Sequence, residues 1–112
     1  MKKIEAIIRP FKLDEVHNAL LDAGFSGLNV TEIKGYGRQK GHKEVYRGSE
    51  YNIEFVPKLK IDLICDDDQL DLALQTIIKY AKTGEIGDGK IFVLNVEGII
   101  RIRTEESGKS AI

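Results

Sequence analysis

Seven of the eleven glycines in this 112-residue chain fall in two short windows, 35–48 and 84–89. Glycine relaxes φ and lets backbone approach a ligand closely, so these windows are the first places to look for chemistry. Gly84, Gly87, Gly89 and Lys90 lie in a run that fits the first seven positions of the phosphate-loop pattern G-x-x-x-x-G-K. Ile91 stands where a magnesium-binding hydroxyl would be needed, and the run leads into a predicted strand instead of a helix. A Walker-type loop is therefore rejected. The underlying chemistry survives: backbone N–H groups at Gly87 and Gly89 can face an anion, with Lys90 as a point charge. A turn that merely needs glycine explains the same residues.

Arg101 and Arg103 are spaced to share one side of a strand. Paired guanidinium forks suit phosphate, while a charge-protected edge strand is the plainer reading. The window from Gly35 through Gly37, Arg38, Gln39, Lys40 and Gly41 to His42 offers backbone amides and cations to an anion, or is a solvated hairpin. Tyr46, Ser49 and Tyr51 lie on a polar stretch open to a modifying enzyme or a partner's groove; packing at the loop base is the alternative. His17 and His42 have no metal spacing to each other or to Cys65, which reads as core filling. Asp66, Asp67 and Asp68 can bind a cation or, more simply, cap a helix. No nucleophile–base or paired acid–base arrangement stands out, so the chain does not read as an enzyme and no catalytic residue is assigned.

The elements that must position these groups follow from hydrophobic period. Residues 3–9 alternate as a strand that Pro10 ends, and Leu13, Val16, Leu20 and Ala23 recur at helical spacing until Gly24. Residues 28–36 are rich in β-branched side chains and read as a second strand. Residues 37–55 hold no sustained apolar period and read as a long loop or an extended, mobile hairpin. Residues 58–65 alternate cleanly, with Leu59, Ile61, Leu63 and Cys65 on one face. An amphipathic helix runs from Leu70 to Ala81 behind an acidic start. Residues 91–96 form a continuous apolar run, expected of a strand buried on both faces. A further short strand is expected over 99–103, and a loose tail over 105–112.

That order, β-α-β, long loop, β-α-β, predicts an α+β fold: a ferredoxin-like split-βαβ sandwich with two helices on one face of an antiparallel sheet. Ile7, Ile64, Phe92 and Leu94 fall on the other face, so a second subunit is expected to cover it. The length fits one domain, 1–112. The composition, 42% hydrophobic and 31% charged, is that of a folded soluble chain. Seventeen Lys and Arg against eighteen Asp and Glu give a net charge of −1, which argues against a nucleic-acid coat. No apolar run approaches a membrane span, and the basic N-terminus has no apolar stretch behind it, so a cytoplasmic protein is expected. One cysteine excludes a disulfide framework within the chain.

Several long motifs, in order, resemble the PII nitrogen-regulatory signal proteins. They are the opening thirteen residues, the Gly35–His42 and Tyr46–Tyr51 stretches, Thr83–Val93 and Ile100–Thr104. The resemblance covers essentially the whole chain. It implies a homotrimer of ferredoxin-like subunits with sheets facing a central axis and a long T-loop over 37–55. It implies ATP and ADP competing for clefts between subunits. Gly87, Asp88, Gly89 and Lys90 would cradle phosphates, Arg101 and Arg103 would reach them from the neighbouring subunit, and Arg38 would close from the loop. Gly35, Gly37, Asn29 and Ile64 would line the adenine end. 2-Oxoglutarate would bind beside Mg-ATP, with Gln39 on the Mg²⁺, Lys58 on a carboxylate, and Gly37, Arg38, Lys40 and Gly41 around the remainder.

By the same resemblance, ligand binding re-orders the loop, whose tip then fits or misfits partners. These would be an ammonium-transport channel and nitrogen-metabolism enzymes and regulators such as an adenylyltransferase, a sensor kinase or N-acetylglutamate kinase. No nucleic acid is expected, and membrane contact only through the channel. A ligand shifts such an equilibrium only through differential affinity, which Arg38 and Gln39 would supply. Tyr51 matches a tyrosine that is uridylylated or adenylylated in some branches, and Ser49 a serine phosphorylated in another. Asn29 and Glu105 depart from the pattern, which favours a hydroxyl residue and glycine there. The alternatives are a slow ligand-gated ATPase, for which no base for water is evident, and a related trimer sensing another small molecule.

Overall fold

The structure is a computed structural model that describes residues 1–36, 43–46, 49–52 and 55–112. The alternating residues of Lys2–Ile8 form β1, and Leu13–Asp22 form helix α1. Leu28–Gly35 form β2 and Val56–Cys65 form β5. Between them, Lys43–Tyr46 (β3) and Ser49–Asn52 (β4) pair as a separate two-stranded antiparallel sheet, while residues 37–42, 47, 48, 53 and 54 of the expected loop lie outside the described residues. Leu70–Ala81 form helix α2, and Lys90–Asn95 form β6. The main sheet has the order β2-β5-β1-β6, all pairs antiparallel. This is the split-βαβ, ferredoxin-like arrangement that the element order predicts.

The core lies between the sheet and the two helices. Ile4, Ala6 and Ile8 of β1, with Ile61, Leu63 and Cys65 of β5, face Val16 and Leu20 of α1 and Ala73, Ile77 and Ala81 of α2. Those strand residues alternate, and those helix residues recur at three- and four-residue spacing, because each face repeats with the period of its element. Asp66 caps the start of the second helical segment. Its side chain accepts from the Asp67 N–H, and Gln69 reaches back to the Asp66 N–H, closing a capping box. The acidic run thus does the capping expected of it.

Register puts Lys3, Glu5 and Ile7 of β1 beside Ile64, Asp62 and Lys60 of β5 and Leu94, Phe92 and Lys90 of β6, on the face away from the helices. Ile7, Ile64, Phe92 and Leu94 are there as expected. They share that face with an ion-pair network: Lys3–Glu5 at 3.2 Å, Lys60–Glu5 at 3.9 Å and Lys60–Asp62 at 4.0 Å.

Three expectations are corrected. β6 is not buried on both faces; it is an edge strand, with Phe92 49%, Val93 44% and Leu94 43% exposed within the chain. Its apolar run cannot be covered by one chain whose helices lie over the sheet centre. Residues 99–103 are not a strand. Only Ile100 bridges, to Ser107, and the chain turns at 102–104, with the Arg101 N–H bonding the Glu106 carbonyl at 2.9 Å. The alternation of isoleucine with arginine mimicked a strand, yet Ile102 is 95% exposed and has no sheet to face. Finally, the tail is docked. Gly108–Ala111 form a 3-10 helix, the Gly108 N–H bonds the Ile99 carbonyl, Lys109 pairs with Asp66 at 2.7 Å, and Ala111 is buried.

Candidate functional site

The turn between α2 and β6 is held by one carboxylate. Asp88 accepts from the N–H groups of Thr83 (2.9 Å) and Gly84 (2.8 Å), from the Thr83 hydroxyl, and from Arg9 Nε (2.9 Å). Burial opposes its charge. The bonds from the Thr83 hydroxyl, Arg9 and the two amides outweigh burial and hold the carboxyl well below the usual carboxylate range. Arg9 also donates to the Ile86 carbonyl at 2.9 Å. Lys58 comes from β5, is buried, and donates its ammonium to the Gly87 carbonyl. Burial lowers the Lys58 pKa, the charge of Arg9 lowers it further, and Asp88 pulls the other way.

Gly89 is fixed by packing. Its φ is +93°, and a Cβ there would sit 1.9 Å from the Ile7 carbonyl oxygen. Only glycine lets the turn press this closely on β1 before Lys90 opens β6. Gly35, at the end of β2, leaves room for Lys58, whose Cγ would be 3.2 Å from a Cβ at 35. Gly87, Asp88, Gly89, Lys90, Lys58 and Gly35 therefore belong to one end of the sheet. A cleft of about 320 Å³ opens beside them, lined by Ile7, Ile78, Asp88, Gly89 and Lys90. The rest of its wall is largely apolar, with Ile8, Ile77, Ala81 and Ile91 beside Lys82, so Lys90 and Lys82 are the cations that line it, while Arg9 and Lys58 brace the glycine turn from behind through Asp88, Ile86 and Gly87.

Asn29, Ile64, Arg101 and Arg103 lie elsewhere. Asn29 faces Asp62 across the β2–β5 pair. Asn29, Asp62, Ile64 and Ile99 line a second cleft, of about 590 Å³, with Ala111 and Ile112. Arg101 reaches that corner through a bond from Nη2 to the Ile112 backbone oxygen at 3.2 Å. Arg103 is exposed on the adjoining turn. Asp62 Oδ1 is a buried acceptor with no partner among the described residues. Asn29 stands on one edge strand and Lys90 on the other, so three strand spacings, about 14 Å, separate them laterally. Gly35 and Asn29 are six residues apart on one strand, about 20 Å. Within one chain, then, the residues expected around one ligand form two groups.

Of the remaining expected residues, Gly37, Arg38, Gln39, Lys40 and Gly41 lie outside the described residues, as does His42. Tyr51 and Ser49 lie on β4, opposite Glu44 and Tyr46 respectively. The roots of this segment carry Tyr36 and Phe55, whose rings sit 6.2 Å apart, tilted by 56°. Sequence reasoning missed Arg9, Thr83 and Asp62. Arg9 is a lone cation before Pro10 and carries no spacing signal. Glu105 has φ +59°, a left-handed conformation that glycine adopts without strain, which explains why glycine suits this position. None of the described helices is long and apolar enough to cross a membrane.

Comparison with known proteins fits this arrangement. Residues 1–106 match the family described as "Nitrogen regulatory protein P-II". The chain is 60% identical over 112 residues to "Nitrogen regulatory protein P-II" of Mesorhizobium japonicum, covering all of both chains. It is 58% identical to "Nitrogen regulatory protein P-II 1" of Escherichia coli strain K12 and 57% identical to "Nitrogen regulatory protein P-II" of Rhodobacter capsulatus, again over the full length of each. With a split-βαβ sheet, a glycine turn pinned beneath it and similarity running from end to end, the chain belongs to the P-II family of nitrogen regulatory proteins.

Proposed function

We propose that this protein is a non-enzymatic sensor that binds ATP or ADP in clefts shared between the subunits of a homotrimer, and 2-oxoglutarate together with Mg-ATP. The observation that carries the reading is the division of the cationic residues into two groups at opposite ends of one sheet. A nucleotide that needs both must draw them from two copies. The glycine turn with Lys90 then receives the phosphates of a nucleotide whose base lies against Asn29 and Ile64 of the neighbouring copy, with Arg101 and Arg103 beside it. The exposed apolar edge of β6 supports such packing, because it is left uncovered within the chain. Lys58 is buried, with a lowered pKa, and a dicarboxylate beside it offsets the burial that disfavours its charge. Mg²⁺ is assigned to Gln39 with the nucleotide. The re-formed loop then engages nitrogen-metabolism partners in the cytoplasm, and Tyr51 or Ser49 is the site of covalent control.

Calorimetry with ATP, ADP and 2-oxoglutarate, each with and without Mg²⁺, tests the reading. 2-Oxoglutarate binds only when Mg-ATP is present. Arg101→Ala and Arg103→Ala each weaken ATP binding by about 1.5–3 kcal/mol, the scale of a charged hydrogen bond. Equal affinity of 2-oxoglutarate for the ligand-free protein contradicts the shared metal site, and unchanged ATP affinity in both variants removes the arginines from it. Sustained ATP hydrolysis would favour an enzyme instead.

A further inference from the structure

Arg101 is already occupied. Its Nη1 faces Glu106 Oε1 at 3.4 Å and its Nη2 donates to the Ile112 backbone oxygen at 3.2 Å. Both partners come from the chain's own tail. The tail reaches them because the backbone reverses directly after Arg101. The Glu105 N–H bonds the Arg101 carbonyl at 2.8 Å, and the Arg101 N–H bonds the Glu106 carbonyl at 2.9 Å. Glu105 takes the left-handed φ of +59° that the reversal requires. Beyond it, Lys109 anchors the segment on Asp66, and Ala111 and Ile112 line the cleft that holds Asn29, Asp62 and Ile64.

We propose that residues 105–112 form an autoinhibitory latch, in which Glu106 and Ile112 hold the Arg101 guanidinium that a nucleotide phosphate must take. The inference rests on the nucleotide reading above. A guanidinium fork satisfied by a carboxylate and a backbone oxygen offers fewer free N–H groups to a phosphate. The phosphate therefore competes with the tail, and the apparent affinity falls by the share of molecules in which Arg101 is engaged. Linkage makes the effect reciprocal: a phosphate on Arg101 releases Glu106 and Ile112 and loosens the segment that lines the Asn29 cleft. The Lys109–Asp66 pair keeps the released tail tethered.

ATP affinity measured by calorimetry for the full chain, Glu106→Gln, Arg101→Ala and the double variant tests the latch. Glu106→Gln keeps the side chain's shape and removes its charge. It tightens ATP binding by about two- to fivefold, the size expected for loss of an exposed ion pair, and has no effect when Arg101 is absent. Unchanged or weaker binding in Glu106→Gln overturns the latch. So does an equal gain with and without Arg101, which would report general repulsion of the nucleotide by Glu106. If Arg101→Ala alone binds ATP as the unmodified chain does, the nucleotide reading at Arg101 fails, a result separable from failure of the latch alone.

Discussion

Asp88 shows how a carboxylate can sit inside a glycine turn beside Arg9, Lys58 and Lys90 with its charge compensated. Four donors from Thr83, Gly84 and Arg9 surround it, so its charge is matched before any ligand arrives. Because its folded pKa lies below the unfolded value, its contribution is fully present above the ordinary carboxylate range and is lost as pH falls through that range and below. Urea denaturation against pH should show the unmodified chain losing stability on acidification from about pH 5. Asp88→Asn should be less stable at pH 7 by about 1–3 kcal/mol, with a flatter acid slope. An identical slope in the variant would remove Asp88 as its source. Gly89 makes a second residue-scale prediction. Gly89→Ala combines a positive φ with a backbone clash and should lower stability by about 2 kcal/mol or more, read as a lower urea midpoint. The sequence exposed Gly89 through the density of glycines around it. It did not expose Arg9, because its partners Asp88 and Ile86 are 79 and 77 residues away.

At the scale of elements, period predicted the parts whose burial is settled within one chain. Leu59 to Cys65 and Val16 to Leu20 are such parts, since their apolar faces meet each other in the core. β6 has the same apolar character but lies at an edge, so hydrophobicity alone read it as interior. The tail misled in the opposite direction. Its composition is polar, and what docks it is a few long-range contacts: Lys109 on Asp66, the Gly108 N–H on the Ile99 carbonyl and the Ile100–Ser107 bridge. Asp66 therefore serves two elements, capping the second helical segment and anchoring the tail. The N-cap preference keeps asparagine nearly as good as aspartate and makes alanine poor. Asp66→Asn should lose only the Lys109 pair, and Asp66→Ala both roles, so the urea midpoint should fall further for alanine than for asparagine. Equal midpoints for the two variants would deny the cap a role in stability.

At the scale of the whole molecule, a net charge of −1 conceals two cationic corners, Arg9, Lys58 and Lys90 at one and Arg101 with Arg103 at the other. Lys58, Lys90, Arg101 and Arg103 were legible in the sequence, and Arg9 was not. The separation of the two corners was not legible either, because it depends on the antiparallel pairing that gathers Arg9, Lys58 and Lys90 at one end of the sheet and on the tail contact that places Arg101 at the other. The exposed β6 edge leaves an apolar surface that the proposed packing of one chain against another would cover. The central claim is that one nucleotide site takes Lys90 from one copy and Arg101 from the next. Co-expression of Lys90→Ala and Arg101→Ala chains carrying different affinity tags, followed by calorimetry with ATP on the doubly purified mixed assembly, tests it directly. Each variant alone should bind ATP weakly, and the mixed assembly should regain a fraction of sites with the affinity of the unmodified protein. A mixed assembly that binds no better than either parent would place both residues in one chain's site and contradict the account.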